Sequence, residues 1–302
     1  MSIIAKNISK HFDSHEALKH ISFSIDKGEI FGMIGPDGAG KTTLFRILVT
    51  LLLSDDGHAT LNGLDVRKDY KKIRKIIGYM AGRFSLYMDL SVKENLQFYA
   101  TVFGTTVTKN YDLIEDVYNQ IKPFENRLAG QLSGGMKQKL ALSCALIHRP
   151  DILILDEPTT GVDAVSRKEF WEMLHKIRKK GITILVSTPY MDEAAQCDRV
   201  GLIQKGRLLS VSKPDGLSFD DGTKLYKFSA DGNIYEYLEM IRGVSSEISA
   251  FMFGDNIHIL CPNDCNINML KQYLTQKNLS NVVFNAVEPD IEDYFMYLLT
   301  EK

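Results

Sequence analysis

The stretch Gly35-Pro36-Asp37-Gly38-Ala39-Gly40-Lys41-Thr42-Thr43 directly follows the apolar run Ile30-Phe31-Gly32-Met33-Ile34. Its spacing, G-x-x-x-x-G-K-T between a strand and a helix, is typical of a phosphate-binding loop. Glycines let backbone N–H groups close around phosphates, Lys41 reaches the terminal phosphates, and Thr42 offers a hydroxyl to Mg²⁺. A glycine-rich turn that carries a lysine by chance is the alternative, and the strand before it and the helical pattern after it argue against that. The predicted nucleoside triphosphate site comprises Gly35, Asp37, Gly38, Ala39, Gly40, Lys41, Thr42 and Thr43.

Composition narrows the class of protein. The chain has 302 residues, 44% hydrophobic and 25% charged, with a net charge of −2, which argues against general nucleic-acid binding. The basic run from Arg67 to Lys75 is interpreted as the solvated face of a short helix, with a nucleic-acid patch as the less favoured alternative. The longest apolar stretch, 47–53, is far shorter than the roughly 20 residues that span a bilayer. If the protein acts at a membrane, it is therefore expected to bind there through a partner protein.

The four cysteines are Cys144, Cys197, Cys261 and Cys265. The last two are close in sequence but have no second ligand pair nearby, so a zinc site is not favoured. Reduced thiols are the expectation.

Strand and helix patterns alternate through the first two-thirds of the chain, which predicts a mainly parallel sheet with flanking helices. From about residue 84 to 147 the pattern is helical, which predicts a helical subdomain inserted into the core. Composition shifts near Lys213-Pro214-Asp215-Gly216, and the elements beyond follow a βαββαβ order. The predicted fold class is α/β, with a core domain at 1–215 and a small α+β ferredoxin-like module at 216–302.

Two further segments carry chemistry. The run Ile152-Leu153-Ile154-Leu155 ends in Asp156-Glu157, which places two carboxylates at the end of a buried strand. Asp156 is suited to hold Mg²⁺, and Glu157 to orient or deprotonate an attacking water. In the second segment, Ser133-Gly134-Gly135, the serine is placed to cap a helix and the glycines permit close approach of a phosphate. A plain capped helix explains this second segment equally well on its own.

The three motifs in this order resemble the ATP-binding subunits of ABC transporters, over about residues 1–215. They are the phosphate loop, Leu-Ser-Gly-Gly-Met at 132–136 and Ile-Leu-Asp-Glu-Pro-Thr-Thr-Gly-Val-Asp at 154–163. The chain is most similar to ATPase subunits of multidrug and polyketide exporters, whose C-terminal extension often ends in a phrase like Val-Glu-Pro-Asp-Ile-Glu-Asp-Tyr-Phe, here 287–295. The resemblance implies a P-loop NTPase core of the ABC type that uses ATP and Mg²⁺.

The same resemblance assigns roles to matching positions. Phe12 would stack on adenine, although a core position at a strand end is the alternative. Ser133, Gly134 and Gly135 would bind the γ-phosphate held by an opposite subunit, because these ATPases dimerise head to tail around two nucleotides. Asp163 would lie at that dimer interface. The segment 84–95 would face the permease, with Tyr87, Met88 and Leu90 either docking a permease helix or packing internally.

Two positions depart from the family pattern. Where the family has Met-Pro-Gln, this chain has Met80-Ala81-Gly82, so the glutamine that touches Mg²⁺ and the attacking water is replaced by glycine. Where the family has Ser-Thr-His, this chain has Ser187-Thr188-Pro189, so the histidine that hydrogen-bonds the γ-phosphate is replaced by proline. Proline offers no comparable donor, not even a backbone N–H. Binding of Mg-ATP is expected to persist through Lys41, Thr42, Asp156 and Glu157, while hydrolysis is expected to be weak.

The expected function is that of an exporter's ATP-binding subunit. Expected partners are integral-membrane permease subunits and a second ATPase subunit, either a complete one in a heterodimer or a second copy in a homodimer, with no nucleic acid. The expected location is cytoplasmic, on the inner face of the membrane through the permease. The alternatives are a non-hydrolysing, ATP-dependent regulatory clamp and, less favoured, a soluble ABC protein of translation or DNA repair. The transported substrate is not encoded here, because specificity would reside in the permease.

Overall fold

The computed structural model describes residues 1–83, 85–215, 217–219, 222–245, 248–262, 267–277, 279 and 281–300. The chain divides into two compact units, 1–213 and 214–302, two residues before the boundary predicted from composition. In unit 1 the strands are β1 (Ile3–Phe12), β2 (His15–Ile25), β3 (Ile30–Ile34), β4 (Asp56–Leu61), β5 (Leu64–Asp65), β6 (Ile77–Met80), β7 (Ile152–Asp156), β8 (Thr183–Thr188), β9 (Arg199–Gln204) and β10 (Arg207–Ser212). Its α-helices are α1 (Lys41–Leu48), α2 (Tyr70–Ile76), α3 (Val92–Val102), α4 (Tyr111–Tyr118), α5 (Gly134–Leu146) and α6 (Ala164–Lys179).

A six-stranded sheet in the order β10-β9-β3-β8-β7-β6 forms the centre of unit 1. All neighbours pair in parallel except β9 and β10, which form an antiparallel hairpin at one edge. The central strands β3, β7 and β8 are buried along their whole length, as expected for strands covered by helices on both faces. The predicted mainly parallel sheet is confirmed.

A second sheet of four antiparallel strands, β2-β1-β4-β5, was only partly predicted. Residues 21–25 alternate between apolar and polar side chains, a pattern that predicts a strand and coincides with the end of β2, but no such pattern predicts β1, β4 or β5. The register of β1 is interrupted by irregularities against both neighbours, so its inward positions do not keep a strict period of two. This irregularity explains why alternation alone did not identify the strand.

Helices replace strands between β6 and β7, as predicted. Within 85–147, all of which the structure describes, the regular elements are α3, α4, α5 and three short 3₁₀ turns at Thr108–Asn110, Lys122–Phe124 and Ala129–Gln131. Ser91 caps α3 in a capping box with Glu94. The helical pattern after the phosphate loop runs over 41–53 in the sequence, but α1 ends at Leu48, because Thr50 adopts a left-handed backbone (φ 64°) just after it.

Unit 2 contains β11 (Lys224–Ser229), α7 (Ile234–Arg242), β12 (Ser249–Phe253), β13 (Asn256–Cys261), α8 (Ile267–Gln276), β14 (Val283–Ala286) and α9 (Ile291–Thr300). Its sheet has the order β12-β13-β11-β14, with every neighbouring pair antiparallel. This is the βαββαβ arrangement that the element order predicts, followed by the closing helix α9. A separate core packs between this sheet and its helices, around Phe228, Ile241, Ile257 and Leu270.

The cysteines differ from the expectation in one place. Cys144 and Cys197 are free and buried, and burial raises the pKa of both thiols. Cys261 is disulfide-bonded, so the expectation that it is reduced is wrong. Cys265 lies outside the described residues.

Candidate nucleotide-binding site

The phosphate loop and the Asp156-Glu157 pair are brought together by the ends of neighbouring parallel strands. In register, Ile34 of β3 lies beside Thr188 of β8, and Ser187 of β8 lies beside Asp156 of β7. The next strand, β6, aligns Met80 with Leu155. The segments that leave these strands therefore emerge at one edge of the sheet, which is where open α/β sheets bind their ligands.

The phosphate loop connects β3 to α1, which confirms the predicted strand–loop–helix order. Gly40 has φ 108°, and a Cβ added there would lie 2.7 Å from the carbonyl oxygen of Ala17. A Cβ on Gly35 would lie only 2.0 Å from the carbonyl oxygen of Ile203. Both positions need glycine, because a side chain would collide with backbone that is held in neighbouring strands.

Lys41 lies inside the loop, with only 3% of its surface exposed. Its ammonium donates to the carbonyl oxygens of Gly35 (2.6 Å) and Pro36 (3.1 Å), and lies 3.1 Å from the Glu157 carboxylate. The loop lysine and the predicted catalytic carboxylate are thus already in contact. A phosphate that enters the loop would compete with Glu157 for this buried cation.

Asp156 and Glu157 are held by one hydroxyl. The Ser187 hydroxyl donates to Asp156 Oδ1 at 2.7 Å and accepts a hydrogen bond from the Glu157 backbone N–H at 2.9 Å. Ser187 is fully buried, and Asp156 is 1% exposed. Glu157 adopts φ 49°, a left-handed backbone that is uncommon for residues other than glycine. The Ser187 contact therefore stabilises an unusual backbone turn immediately after the strand.

The donor chemistry of this edge fits Mg²⁺. Hard divalent cations take oxygen ligands, and the Thr42 hydroxyl and the Asp156 carboxylate are the oxygen donors that the sequence assigns to the metal. Asp156 is buried and has one carboxylate oxygen engaged by Ser187, which leaves Oδ2 for a cation or its bound water. The predicted ligand pair is therefore compatible with the metal.

Gly82 and Pro189 both lie at this edge. A Cβ built on Gly82 would be 3.2 Å from the carbonyl oxygen of Asp156 and 3.7 Å from its Oδ2. Gly82 thus borders the carboxylate that is suited to hold the metal, at the position where the resemblance leads us to expect glutamine. Pro189 directly follows β8, whose last residues neighbour β3 and β7. Both departures from the family pattern are therefore beside the candidate site.

The Ser133-Gly134-Gly135 segment lies elsewhere in unit 1, against the start of α6. Ser133 caps α5 through the Met136 N–H, as predicted. A Cβ on Gly135 would lie 2.8 Å from the Ser166 hydroxyl, and one on Gly134 would lie 3.4 Å from the Gly161 carbonyl oxygen. Asp163 caps α6, and its hydrogen bonds from Ser166 lower the pKa of the Asp163 carboxyl. The second glycine motif and Asp163 therefore form one surface.

Three other predicted contact residues are exposed. Phe12 ends β1 with 45% of its surface exposed and with the Lys10 ammonium 5.5 Å from its ring centre, so it is not a core residue. Tyr87 and Met88 are 50% and 43% exposed, and Tyr87 packs edge-to-face on Phe98 at 4.8 Å. Leu90 is half-buried.

Leu86, the residue before Tyr87, lines a groove of about 410 Å³, which we call the apolar groove. Its lining includes Leu51, Tyr79, Leu86, Tyr99, Val102 and Phe103. Burial first, and then the Asp156 charge, raise the pKa of Tyr79 to about 12, so its hydroxyl stays neutral. The groove thus joins the end of α1 to the inserted helices with a mainly uncharged surface.

Sequence reasoning missed Ser187 as a site residue. The sequence feature that could have found it is a serine directly after the mainly apolar run Ile182-Thr183-Ile184-Leu185-Val186. This serine is recognisable as a site residue only from the strand register that sets it beside Asp156. The register between strands far apart in the chain cannot be read from one sequence.

Known proteins resemble this chain in sequence and in fold. The family model described as "ABC transporter" matches residues 18–160. Over 217 residues the chain is 42% identical to the probable multidrug ABC transporter ATP-binding protein YbhF of Escherichia coli, covering 71% of this chain and 38% of that protein. It therefore spans about two-fifths of that relative's length. Over 309 residues it is 30% identical to the linearmycin resistance ATP-binding protein LnrL of Bacillus subtilis, covering 97% of both chains.

Among solved structures, one described as the dimeric structure of a bacterial ABC transporter cassette superposes with a TM-score of 0.64 at 25% identity. The match covers 71% of this chain and all of that one. LnrL matches at both ends of the chain, and the cassette shares the fold of the part that contains the phosphate loop. The chain belongs to the family of ABC transporter ATP-binding proteins.

Proposed function

We propose that this chain is the ATP-binding subunit of an ABC exporter, and that its own nucleotide site hydrolyses ATP slowly. The observation that carries the proposal is the meeting of Lys41, Asp156 and Glu157 at one sheet edge that lacks the family's glutamine and histidine. Mg-ATP binds with its phosphates in the loop at 35–43, and with Mg²⁺ between Thr42 and Asp156. Glu157 orients the attacking water, and Phe12 stacks on the adenine.

Slow hydrolysis follows from what Gly82 and Pro189 lack. In phosphoryl transfer the protein contributes mainly positioning and electrostatic stabilisation. Each positioned hydrogen bond to a transition state can be worth about 10²–10³ in rate. Gly82 and Pro189 have no side-chain donor or acceptor, so two such contacts are lost. Lys41 and Asp156 still provide positive charge and a metal ligand. ATP binding is therefore retained while ATP hydrolysis is slow.

A head-to-tail dimer explains why the second glycine motif is intact. Ser133, Gly134 and Gly135 lie with Asp163 on one surface, against the start of α6. In the proposed dimer this surface completes the partner's nucleotide site, so the chain retains a function even when its own site is slow. A complete second ATPase is the favoured partner, and a second copy of this chain is the alternative.

The apolar groove and the exposed residues beside it are the proposed docking site for the permease. Tyr87 and Met88 are exposed at the start of the inserted helices, and the groove beside them is lined mainly by uncharged side chains, with Arg74 as the charged exception. Among the described residues, no helix is both long and apolar enough to cross a membrane. As the ATP-binding subunit of a transporter, the chain is proposed to lie at the cytoplasmic face, attached through its permease. The multidrug and linearmycin resistance functions in the names of its relatives support an exporter as the transporter class.

A regulatory clamp that closes on ATP without hydrolysing it is the second candidate. The same two replacements, Gly82 and Pro189, favour it. Reconstitution with the permease and a complete partner ATPase distinguishes the transport subunit from the clamp. A transport subunit increases ATP-driven transport, whereas a clamp binds and releases ATP without net export.

The first test is steady-state Mg-ATP hydrolysis by the purified chain, with nucleotide binding measured in parallel. Glu157→Gln is the matched control, since it removes the proposed base and leaves the phosphate loop unchanged. Binding without Glu157-dependent turnover is the expected result. Glu157-dependent turnover of about 1 s⁻¹ or faster, within the usual range of enzymes, would contradict slow hydrolysis. Absence of ATP binding would contradict the proposed function altogether.

A further inference from the structure

The helix α2 and the turn before it carry a basic face. Lys71, Lys72 and Lys75 lie in α2, and Lys68 lies in the turn that leads into it, three residues before Lys71. Residues four apart are neighbours on a helix surface, so Lys71 and Lys75 share one side of α2. All four are exposed, whereas Ile73, on the opposite side, is fully buried in the core. We call these four residues the lysine face. Its position is fixed, because Ile73 anchors the helix to the domain.

Nearby carboxylates neutralise only part of this face. Lys72 pairs with Asp69 at 3.0 Å, and Asp65 accepts hydrogen bonds from the backbone N–H groups of Arg67 and Lys68. In the part of the chain that the structure describes, the ammonium groups of Lys68, Lys71 and Lys75 have no ion-pair partner within 4.0 Å. Three positive charges therefore point to solvent on a protein whose net charge is −2.

The lysine face is continuous with the apolar groove. Arg74, on the same helix, lines that groove and donates to the hydroxyl and carbonyl oxygens of Thr50, each at 2.8 Å. Tyr70 is 39% exposed, and lies 5.9 Å from the Lys71 ammonium and 5.3 Å from the Arg74 guanidinium. Tyrosine beside basic residues is typical of membrane–water interfaces, where the ring is partly buried and the charges face headgroups.

We propose that the lysine face contacts the anionic lipid headgroups of the leaflet around the permease. The inference rests on the proposed function in one respect: a permease seated in the apolar groove brings α2 towards the bilayer. Charge complementarity selects the occupant, because the unpaired Lys68, Lys71 and Lys75 next to a mainly apolar groove match an anionic surface beside a membrane protein. A nucleic-acid partner is less favoured, since one exposed aromatic on a seven-residue helix offers little stacking surface and the whole chain is acidic.

The test is co-sedimentation of the full chain with vesicles of phosphatidylcholine alone and of phosphatidylcholine mixed with phosphatidylglycerol. The variant is the double substitution Lys71→Gln and Lys75→Gln. The matched control is Lys27→Gln with Lys179→Gln, which removes the same charge. Both control lysines are exposed, and Lys27 precedes β3, three strands across the sheet from β6. The assay needs neither ATP nor a permease, so its failure is distinguishable from a failure of ATP binding.

The wild-type chain is expected to bind the anionic vesicles, to bind neutral vesicles weakly, and to dissociate at high ionic strength. Each basic residue near an anionic surface changes the partition coefficient about fivefold, so the double variant should lose roughly 25-fold and the control little. Equal binding to neutral vesicles, an equal loss in the control, or no binding to anionic vesicles would overturn the proposal. Tighter binding to a DNA duplex than to anionic vesicles would overturn it in favour of a nucleic-acid surface.

Discussion

The Ser187 hydroxyl donates to Asp156 Oδ1 at 2.7 Å, across two neighbouring parallel strands. The same oxygen accepts the Glu157 N–H, so it holds the carboxylate suited to the metal and the backbone of the proposed catalytic carboxylate together. Both Ser187 and Asp156 are almost completely buried, where a hydrogen bond to a charged group is stronger than in water. Ser187 is therefore a positioning residue for both carboxylates.

Ser187→Ala should weaken Mg²⁺-dependent nucleotide binding. The substitution leaves the Glu157 N–H without its acceptor and Asp156 Oδ1 without its donor, which costs about 1–3 kcal/mol for each unsatisfied buried group. The measurement is the affinity for a fluorescent ATP analogue with and without Mg²⁺. The difference between the two conditions should shrink, because a misplaced Asp156 is a poorer metal ligand.

Ser143→Ala is the matched control for that experiment. Ser143 is also fully buried, but its hydroxyl donates to the Lys139 carbonyl oxygen within α5, away from the nucleotide edge. Its substitution should leave the Mg²⁺ dependence unchanged. An equal loss of Mg²⁺ dependence in both variants would show that Ser187 acts only through general stability.

The phosphate loop predicts a further difference between two of its glycines. Gly38→Ala should be tolerated with a cost of about 1 kcal/mol, because its φ of 76° is strained for alanine but the added Cβ meets nothing within 4 Å. Gly40→Ala should abolish ATP binding, since its Cβ would lie 2.7 Å from a strand carbonyl oxygen and 2.9 Å from a Leu18 methyl carbon. Isothermal titration with ATP checks both. Similar affinities for the two variants would contradict the close approach seen at Gly40.

Much of the site was predictable from sequence because its parts are local. The phosphate loop, the strand that ends in Asp156 and the cap at Ser133 each depend on residues within one short segment, and each is found as predicted. The contacts of Ser187 and Gly82 with Asp156 depend on which strands are neighbours. A single sequence shows strands but not their order, so these contacts emerged only from the sheet β3-β8-β7-β6.

The antiparallel sheet was missed for a different physical reason. Strand β1 pairs irregularly with both neighbours, and two of its buried positions, Ala5 and Ser9, are small or polar, so no period of two stands out. The parallel strands were found because they are apolar on both faces. In unit 1, prediction thus succeeded for β3, β7 and β8, which are buried throughout, and failed for β1, whose register shifts.

Acid should destabilise unit 1 through His148. Burial lowers the pKa of this imidazole, while its Nε2 lies 2.9 Å from the Ile77 carbonyl oxygen and its ring stacks on Phe103. The unfolded chain then binds a proton more readily than the folded one. Stability should therefore be full above about pH 6.5, the usual value for histidine, and fall as the pH drops towards the lowered pKa.

Urea unfolding measured above and below that pH tests the His148 prediction. The variant His148→Gln keeps an N–H donor for Ile77 but does not titrate. It should be less stable than the wild type at neutral pH, because the stacking on Phe103 is lost, and it should show a smaller loss on acidification. An unchanged pH slope in the variant would assign the acid sensitivity to other groups.

Restoring the two family residues should raise turnover. Gly82 has no positive φ, and a Cβ there would require the Asp156 carbonyl oxygen to yield by only a few tenths of an ångström, so Gly82→Gln should fold. Its amide would then border Asp156 Oδ2, where a metal and its water would lie. Pro189→His would supply the missing donor at the end of β8. The double variant should hydrolyse Mg-ATP about 10²-fold faster than the wild type or more, by analogy with the loss caused by removing one such donor.

The two restored residues should act together rather than additively, since both position the same water and phosphate. Each single variant should therefore gain less than half of the double variant's gain on a logarithmic scale. Adding Glu157→Gln to the double variant should return turnover to background, because all of the gain depends on the carboxylate that the restored groups assist. A double variant that binds ATP as tightly as the wild type yet hydrolyses it no faster would show that something other than Gly82 and Pro189 limits the reaction.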